Sequence, residues 1–353
     1  MTIALVVGGG APNLTLMAGA IAALDEAGVK FDVVSTAGAG MLIGLLYAAP
    51  KGISRSEALK NLVNSGVHDA IYRLLPVNFK VFHKPGVLAQ AYTRFWQSMA
   101  GQQAELWQRL MGSSTPDTQR LVNDWTALML ACACPSDLGP ASLGLCQPAP
   151  LIDEMVDFAR LKDFAGEFYM SAYCIEAGRM EIFPKEQVDI RHFQAAMAFP
   201  MIYAPFKLDG KTYLEGAAQD TLNFKGLYEH RAGQPHIDTI VVFDVLGMKK
   251  LIAEPRNLYD AWVKSIIVPL VAIAEDDLKL FREVHKKKLR PEPKLLSVGF
   301  EDHIPSDHWP NVLDWSYSNL ELLYDVGYRA GKDFFEEHRA DLVGPRSRSQ
   351  PSF

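Results

Sequence analysis

The stretch DVVSTAGAGMLIGLLYA, residues 32–48, decides the fold that this sequence predicts. It opens with apolar, β-branched residues typical of a buried strand, and we expect that strand over 29–34. Small residues follow and favour a tight turn. The apolar run over 39–48 then predicts a helix, which Pro50 ends. One short segment thus predicts a strand, a turn and a helix in direct succession.

The same succession occurs at the beginning of the chain. Residues 3–7 are continuously apolar and lead into three glycines at 8–10. Pro12 suits the first turn of a helix, and apolar residues at helical spacing carry that helix to Gly28. Two strand–turn–helix units with short connections indicate an α/β fold in which helices cover a largely parallel sheet.

Later parts of the chain predict further elements around a helical insertion at about 80–150, in which 135–150 reads as a loop. Strands are predicted over 167–175, 179–183, 237–245 and 294–299, a helix over 191–198, and a hairpin turn at Asp209-Gly210. We expect an α/β core over 1–250 that includes the insertion, a helical C-terminal extension over 251–343 packed on it, and a flexible tail over 344–353.

Composition and charge narrow the class of protein. The 353 residues carry a net charge of −6, so the chain lacks the basic footprint of a nucleic-acid binder. Four cysteines lack the spacing of a zinc site and are interpreted as free thiols (Cys132, Cys134, Cys146 and Cys174). No apolar run approaches the roughly 20 residues of a membrane span, and the first residues do not resemble a signal peptide. We therefore expect a soluble, cytoplasmic protein that needs no cofactor.

Two further patterns resemble binding sites, but each is better explained in another way. The basic run over 282–290 is interpreted as a solvated helix end rather than a nucleic-acid patch. His303 and His308 each follow an aspartate in one loop, but their spacing fits no standard metal site. No metal is expected.

The turn inside 32–48 has the position of a nucleophile elbow without the nucleophile. Serine hydrolases place their catalytic serine on a strand–turn–helix elbow with the pattern G-x-S-x-G. Here the five positions read Thr36-Ala37-Gly38-Ala39-Gly40, and G-x-S-x-G occurs nowhere in the chain. Ser35 and Thr36 lie nearby, but a strand turns successive side chains to opposite faces. Neither hydroxyl is expected to replace a serine at 38.

Four segments in this order resemble the patatin-like phospholipases. They are the strand with its glycine turn at 8–10, the elbow at 36–40, the run A-M-A-F-P-x-x-x-x-P over 196–205, and Glu215-Gly216-Ala217. The resemblance covers roughly residues 1–250 and implies a three-layer α/β/α fold. It also implies a relationship to enzymes that hydrolyse lipid acyl esters with a Ser–Asp dyad and a glycine-rich oxyanion hole.

Carried over residue by residue, the resemblance assigns a site that departs from the family pattern. Gly38 takes the place of the nucleophilic serine, and Glu215 that of the aspartate. The oxyanion or ligand-binding candidates are the glycine turn, a side-chain amide and the residue after the elbow position (Gly8, Gly9, Gly10, Asn13 and Ala39). Pro12-Asn13 stands where the family usually has Arg-Gly, and Thr36 replaces the first glycine of the elbow.

Two functions follow from these departures. The first is a protein that binds an acyl or lipid-like ligand without serine hydrolysis. The second is an enzyme of altered chemistry in which Glu215 acts as a general base on water or on a carbon acid, and the turn at 8–10 stabilises an oxyanion. Its substrates would be small esters, thioesters, lactones or ketones. The expected partners are thus lipid, acyl or small carbonyl ligands, with peripheral membrane contact and self-association left open.

Overall fold

The computed structural model describes residues 1–10, 13–81, 91, 95, 115–133, 152–200, 203–229, 231, 234–246, 248–252, 254–256 and 258–344. Its strands are β1 Ile3–Val7, β2 Val33–Thr36, β3 Glu167–Cys174, β4 Arg179–Pro184, β5 Phe206–Leu208, β6 Lys211–Glu215, β7 Thr239–Phe243 and β8 Lys294–Ser297. Its α-helices are α1 Leu14–Glu26, α2 Gly40–Ala48, α3 Arg55–Asn61, α4 Asp69–Leu74, α5 Pro116–Ala133, α6 Ile152–Met155, α7 Ile190–Ala196, α8 Leu258–Leu280 and α9 Tyr317–Val343.

The strands of the described residues form one mixed sheet. The order is β5-β6-β3-β2-β1-β7-β8, and β4 pairs with β3. The pairs among β3, β2, β1, β7 and β8 are parallel, whereas β4 and β6 run antiparallel to β3, and β5 antiparallel to β6. Helices flank this sheet, so the predicted largely parallel α/β/α architecture is confirmed.

Both faces of the sheet are buried, which explains why its parallel strands read as continuous apolar runs. In β1, Leu5 and Val7 face the larger core, which contains residues of α1, α2 and α9. Ala4 and Val6 face a smaller core, which contains Leu222, Phe224, Leu227 and Phe281. The central strands are therefore fixed from two sides, and their carboxyl ends are held rigidly.

Helices α1 and α9 meet along a seam of small residues. A Cβ added to Gly19 would collide with the backbone carbonyl of Tyr324, and one added to Gly327 would collide with the carbonyl of Leu16. The two helix backbones are thus in direct contact. The residues after 250 also supply β8, which pairs with β7 at the edge of the sheet.

The second strand lies later in the chain than predicted. The sequence predicts it over 29–34, but β2 spans Val33–Thr36. The strand ends two residues later than predicted, because the polar residues Ser35 and Thr36 are not expected in a buried strand. Each hydroxyl finds a backbone acceptor, however, and the Ser35 Oγ donates to the carbonyl of Asn223 at 2.5 Å. A hydroxyl with an acceptor is tolerated in a buried strand.

The hairpin predicted at Asp209-Gly210 is confirmed. Strands β5 and β6 pair antiparallel on either side of these two residues. Their φ angles are +49° and +82°, the left-handed pair that a two-residue type I′ turn requires. This turn reverses the chain direction, and β6 then pairs antiparallel with β3.

Much of the predicted insertion lies outside the described residues, including Trp96, Met99, Trp107, Leu110 and Met111, and so does the predicted loop over 135–150. The part that is described contains α5, whose Leu128 packs in a small cluster with Val67 and Ile71. Among the described residues, no helix is both long and apolar enough to cross a membrane. Residues 345–353 of the predicted tail also lie outside the described part.

The side chains considered for metal binding are placed in separate contacts. Cys132 is exposed and Cys174 is buried, both as free thiols, whereas Cys134 and Cys146 lie outside the described residues. The Nε2 of His308 is 2.6 Å from the Oδ1 of Asn319. Within the described part of the chain, no group of three or more potential ligands is suited to a metal ion.

Candidate functional site

The turn after β2 has the backbone geometry of an elbow. Gly38 has a φ of +51°, in the left-handed region that favours glycine, and α2 begins two residues later. The N–H of Ala37 donates to the carbonyl of Val7 at 3.0 Å. A Cβ on Gly40 would collide with the carbonyl of Gly8. The turns after β1 and β2 therefore lie against one another, and position 40 tolerates no side chain at that contact.

The space beside Gly38 is filled by Glu215 and Ala217. A Cβ built on Gly38 would lie 2.5 Å from the Oε1 of Glu215, 2.7 Å from the Cβ of Ala217 and 3.4 Å from the Cα of Gly9. Distances below 3.0 Å are too short for carbon. The carboxyl of Glu215 thus occupies the volume that the side chain of a serine at position 38 would need.

Strand pairing explains why Glu215 reaches Gly38. Strand β4 covers one edge of β3 over its paired residues, so β2 and β6 share the other edge. There Met170 pairs with Thr36, and two residues further Ala172 pairs with Glu215. Because β6 runs antiparallel, its last residue points toward the end of β2. The pairing register of β2 and β6 with β3 therefore brings Glu215 next to the elbow, although the two are far apart in sequence.

Glu215 is buried, and its carboxyl has no charged partner in the described part of the chain. Its side chain is 7% exposed, and burial raises the pKa of its carboxyl to about 8. The backbone N–H of Ala39 donates toward this carboxyl and lowers the pKa by a smaller amount. Glu215 is consequently a neutral acid through most of the physiological pH range. Its carboxyl accepts from the backbone N–H of Ala39, the residue that follows the elbow position.

The glycine turn after β1 forms the opposite wall of the site. The N–H of Gly8 is bonded to the carbonyl of Phe243 at 3.1 Å, so it belongs to the sheet. Gly9 lies beside the elbow, since a Cβ on it would lie 3.9 Å from the N of Ala39 and from the Cα of Gly38. Gly10 has a φ of +134°, and a Cβ there would overlap the side chain of Val245. Of the three glycines, Gly9 and Gly10 are the ones that remain candidates for ligand contact.

Asn13 follows this turn and is unusually placed for a polar residue. It precedes α1 but makes no side-chain capping bond to the helix. It is 1% exposed, and neither its Nδ2 nor its Oδ1 has a hydrogen-bond partner among the described residues. Buried amides are nearly always paired, so this side chain is a candidate for binding a ligand. Its neighbour Pro12 lies outside the described residues.

The two hydroxyls near the elbow are engaged in the sheet. Ser35 donates to the carbonyl of Asn223, and the Oγ1 of Thr36 donates to the carbonyl of Tyr169 at 3.1 Å. Both residues are fully buried. Neither hydroxyl faces the position that a catalytic serine would take.

Sequence reasoning missed three residues that support the site. Ala217 was read as part of a motif, but its Cβ limits the space at Gly38. Asn223 holds the end of β2 through its Nδ2, which donates to the carbonyl of Thr36 at 3.3 Å. Asp277 accepts bonds from the backbone and hydroxyl of Thr221 at 2.7 and 3.0 Å. No local pattern signals the last two, because their partners come from distant segments.

An elbow between strand and helix, a glycine turn beside it and a carboxyl at the end of a neighbouring strand define the site class of α/β acyl hydrolases. The family model described as patatin-like phospholipase matches residues 5–228, which is more than half of the chain and includes the glycine turn, the elbow and Glu215. The chain belongs to the patatin-like phospholipase family.

Comparisons with curated sequences and with solved structures do not extend this assignment. No curated protein sequence matches the chain. The crystal structure of VipD from Legionella pneumophila aligns with 94% of this chain and 67% of its own, at 13% sequence identity and a TM-score of 0.37. That similarity is too weak to support any inference about function.

Proposed function

We propose that this protein binds an acyl or lipid-like ligand at the elbow and does not hydrolyse it with a serine. The observation that carries the proposal is the Oε1 of Glu215, which lies 2.5 Å from the position of a Cβ on Gly38. The serine side chain is absent, and its place is occupied. A Ser–Asp mechanism therefore lacks both its nucleophile and the room for one.

Family membership supports the ligand class. Members are described as patatin-like phospholipases, and the match extends over the turns and the acid that form the site. Removing the nucleophile of such a site leaves binding and oxyanion effects, which are weaker by orders of magnitude. The retained Gly9 and the unpaired amide of Asn13 are suited to a carbonyl or carboxyl group. Membrane contact, self-association and a cytoplasmic location stay predictions.

The test combines a covalent probe with a binding measurement. A fluorophosphonate probe should not label the protein, while an active serine hydrolase in the same reaction is labelled. Calorimetry with octanoyl compounds should detect binding, and mass spectrometry should find an octanoyl ester intact. Labelling at any residue of the elbow, or ester cleavage that depends on it, would overturn the proposal. Ser35→Ala and Thr36→Val identify the labelled residue if labelling occurs.

One observation favours a second candidate function, in which Glu215 is a general base. A carboxyl with a pKa of about 8 beside a backbone N–H is suited to proton abstraction near neutral pH. Turnover would then rise with pH up to about 8 and level off above it, because the deprotonated form is the active one. Comparing Glu215→Gln with the wild type over small esters, thioesters, lactones and ketones decides this, since unchanged turnover excludes Glu215 as the base.

A further inference from the structure

We propose that the protein docks on anionic membrane surfaces through the segment at the end of α8. The docking surface is formed by residues 279–290, which we call the basic segment. It presents two exposed apolar side chains among lysines and arginines. This inference goes beyond the proposed function and does not depend on it.

The basic segment is anchored to the protein by two aromatic contacts. A π-helical turn over Phe281–His285 follows α8. Phe281 is fully buried, and its ring stacks on that of Phe224 at a centroid distance of 4.0 Å. The ring of His285 stacks on that of Tyr228 at 5.1 Å. Since the two anchors are about one turn apart, they determine which side of the segment faces the core and which side faces outward.

The side chains next to these anchors are apolar and exposed. Leu280 is 49% exposed and Val284 is 48% exposed, and their four-residue spacing places them on one helical face. A single exposed leucine needs no explanation. An apolar pair bordered by lysines, however, is typical of a helix that lies in a membrane interface with its apolar face in the lipid.

The charge of the basic segment identifies the kind of surface. It contains six lysines or arginines and one glutamate, a net charge of +5 in a chain whose net charge is −6. Among the described residues, none of the six has an ion-pair partner, and Lys288 contacts a ring, with its Nζ 4.6 Å from the centroid of Tyr228. Clusters of about four to eight lysines and arginines on an amphipathic helix bind anionic lipid head groups. The apolar pair favours a bilayer over a soluble polyanion such as RNA.

The test is sedimentation of the full chain with vesicles, made either of phosphatidylcholine alone or with about one third phosphatidylserine. The wild type should bind the anionic vesicles and not the neutral ones. The triple variant Lys286→Gln, Lys287→Gln and Lys288→Gln should bind the anionic vesicles about 100-fold more weakly, because each lysine near such a surface contributes about fivefold.

A second triple variant is the matched control for charge. Lys30→Gln, Lys60→Gln and Lys162→Gln remove the same charge from exposed positions outside the basic segment. Its affinity for the anionic vesicles should stay within about twofold of the wild type, because salt screens charges that lie away from the contact. Circular dichroism confirms that both triple variants are folded.

A pair of double variants tests the apolar part. Leu280→Ser with Val284→Ser should bind the anionic vesicles about 10-fold more weakly, because less apolar surface is buried in the lipid. The control is Ile53→Ser with Val343→Ser, which are 39% and 43% exposed in the wild type and lie outside the basic segment. Its affinity should not change.

Several results would overturn the membrane inference. They are no binding to anionic vesicles, equal binding to neutral ones, equal losses in the two lysine variants, or unchanged affinity in the Leu280 and Val284 variant. Tighter binding of the wild type to double-stranded RNA than to vesicles would replace the membrane with a soluble polyanion. None of these results bears on acyl binding at the elbow, which the fluorophosphonate probe and calorimetry test separately.

Discussion

The α1–α9 seam and the elbow both depend on glycine, but against different neighbours. In the seam, a Cβ on Gly327 would meet the backbone of Leu16, which cannot move without separating two helices. At the elbow, a Cβ on Gly38 would meet the end of the Glu215 side chain and the methyl of Ala217. The seam is limited by backbone and the site by side chains. Substitution elsewhere can therefore relieve crowding in the site but not in the seam.

The largest effect is expected from the seam. Gly327→Ala should lower the free energy of unfolding by about 4 kcal/mol, because its Cβ collides with the carbonyl of Leu16 and approaches the Cα of that residue within 2.8 Å. Urea denaturation measures it. Gly299→Ala is the control, since no atom lies within 4 Å of its Cβ position and its change should stay below about 0.5 kcal/mol. Similar losses in both variants would contradict the backbone contact.

The next effect is a pH dependence of stability that originates in the site. Burial raises the pKa of Glu215 to about 8 from its ordinary value of 4.5, so the folded state binds the extra proton between these pH values. The stability that this proton contributes is complete below pH 4.5 and is lost as the pH rises through 8. From pH 5 to pH 8 the wild type should lose about 3 kcal/mol relative to Glu215→Gln.

Urea denaturation of both proteins across that range measures the difference. The other groups titrate equally in the two proteins, so subtraction isolates Glu215. A difference that is constant from pH 5 to pH 8 would mean that Glu215 is ionised throughout, and would argue against a neutral acid at the elbow.

A smaller effect tests whether the crowding at Gly38 comes from side chains. Gly38→Ser should cost about 2 kcal/mol, since its Cβ lies too close to Glu215 and Ala217. Glu215→Asp and Ala217→Gly shorten both neighbours, so the triple variant should recover at least half of that loss. Urea denaturation of the single, double and triple variants gives the coupling free energy. Strictly additive costs would assign the requirement for glycine to the φ of +51° alone.

The parts of the fold that follow from local chemistry were predictable from the sequence. The turn at Asp209-Gly210 is one, because its two residues alone determine a left-handed turn. The glycine turn at 8–10 and the elbow are others. Strand β2 was misplaced because Ser35 finds its acceptor on Asn223, which a local pattern does not reveal.

The sequence predicts that Gly38 and Glu215 come together, but it does not give their contact. The motif order places Gly38 and Glu215 in one site, but their distance depends on two strands sharing an edge of β3. Register between distant strands is set by the whole sheet. The amide of Asn13, which lacks a partner among the described residues, likewise depends on contacts that no local pattern reveals.

The smallest effect is expected at Asn13, and Asn223 is the asparagine to compare with it. Asn223→Ala should lose about 2 kcal/mol, because its amide donates to the carbonyl of Thr36 and accepts from the N–H of Gly226. Asn13→Ala should change stability by less than about 0.5 kcal/mol, since its amide makes no bond to any described residue that could be lost. An octanoyl ester should nevertheless bind Asn13→Ala more weakly than the wild type. A stability loss at Asn13 equal to that at Asn223, with unchanged ester binding, would assign Asn13 to the scaffold.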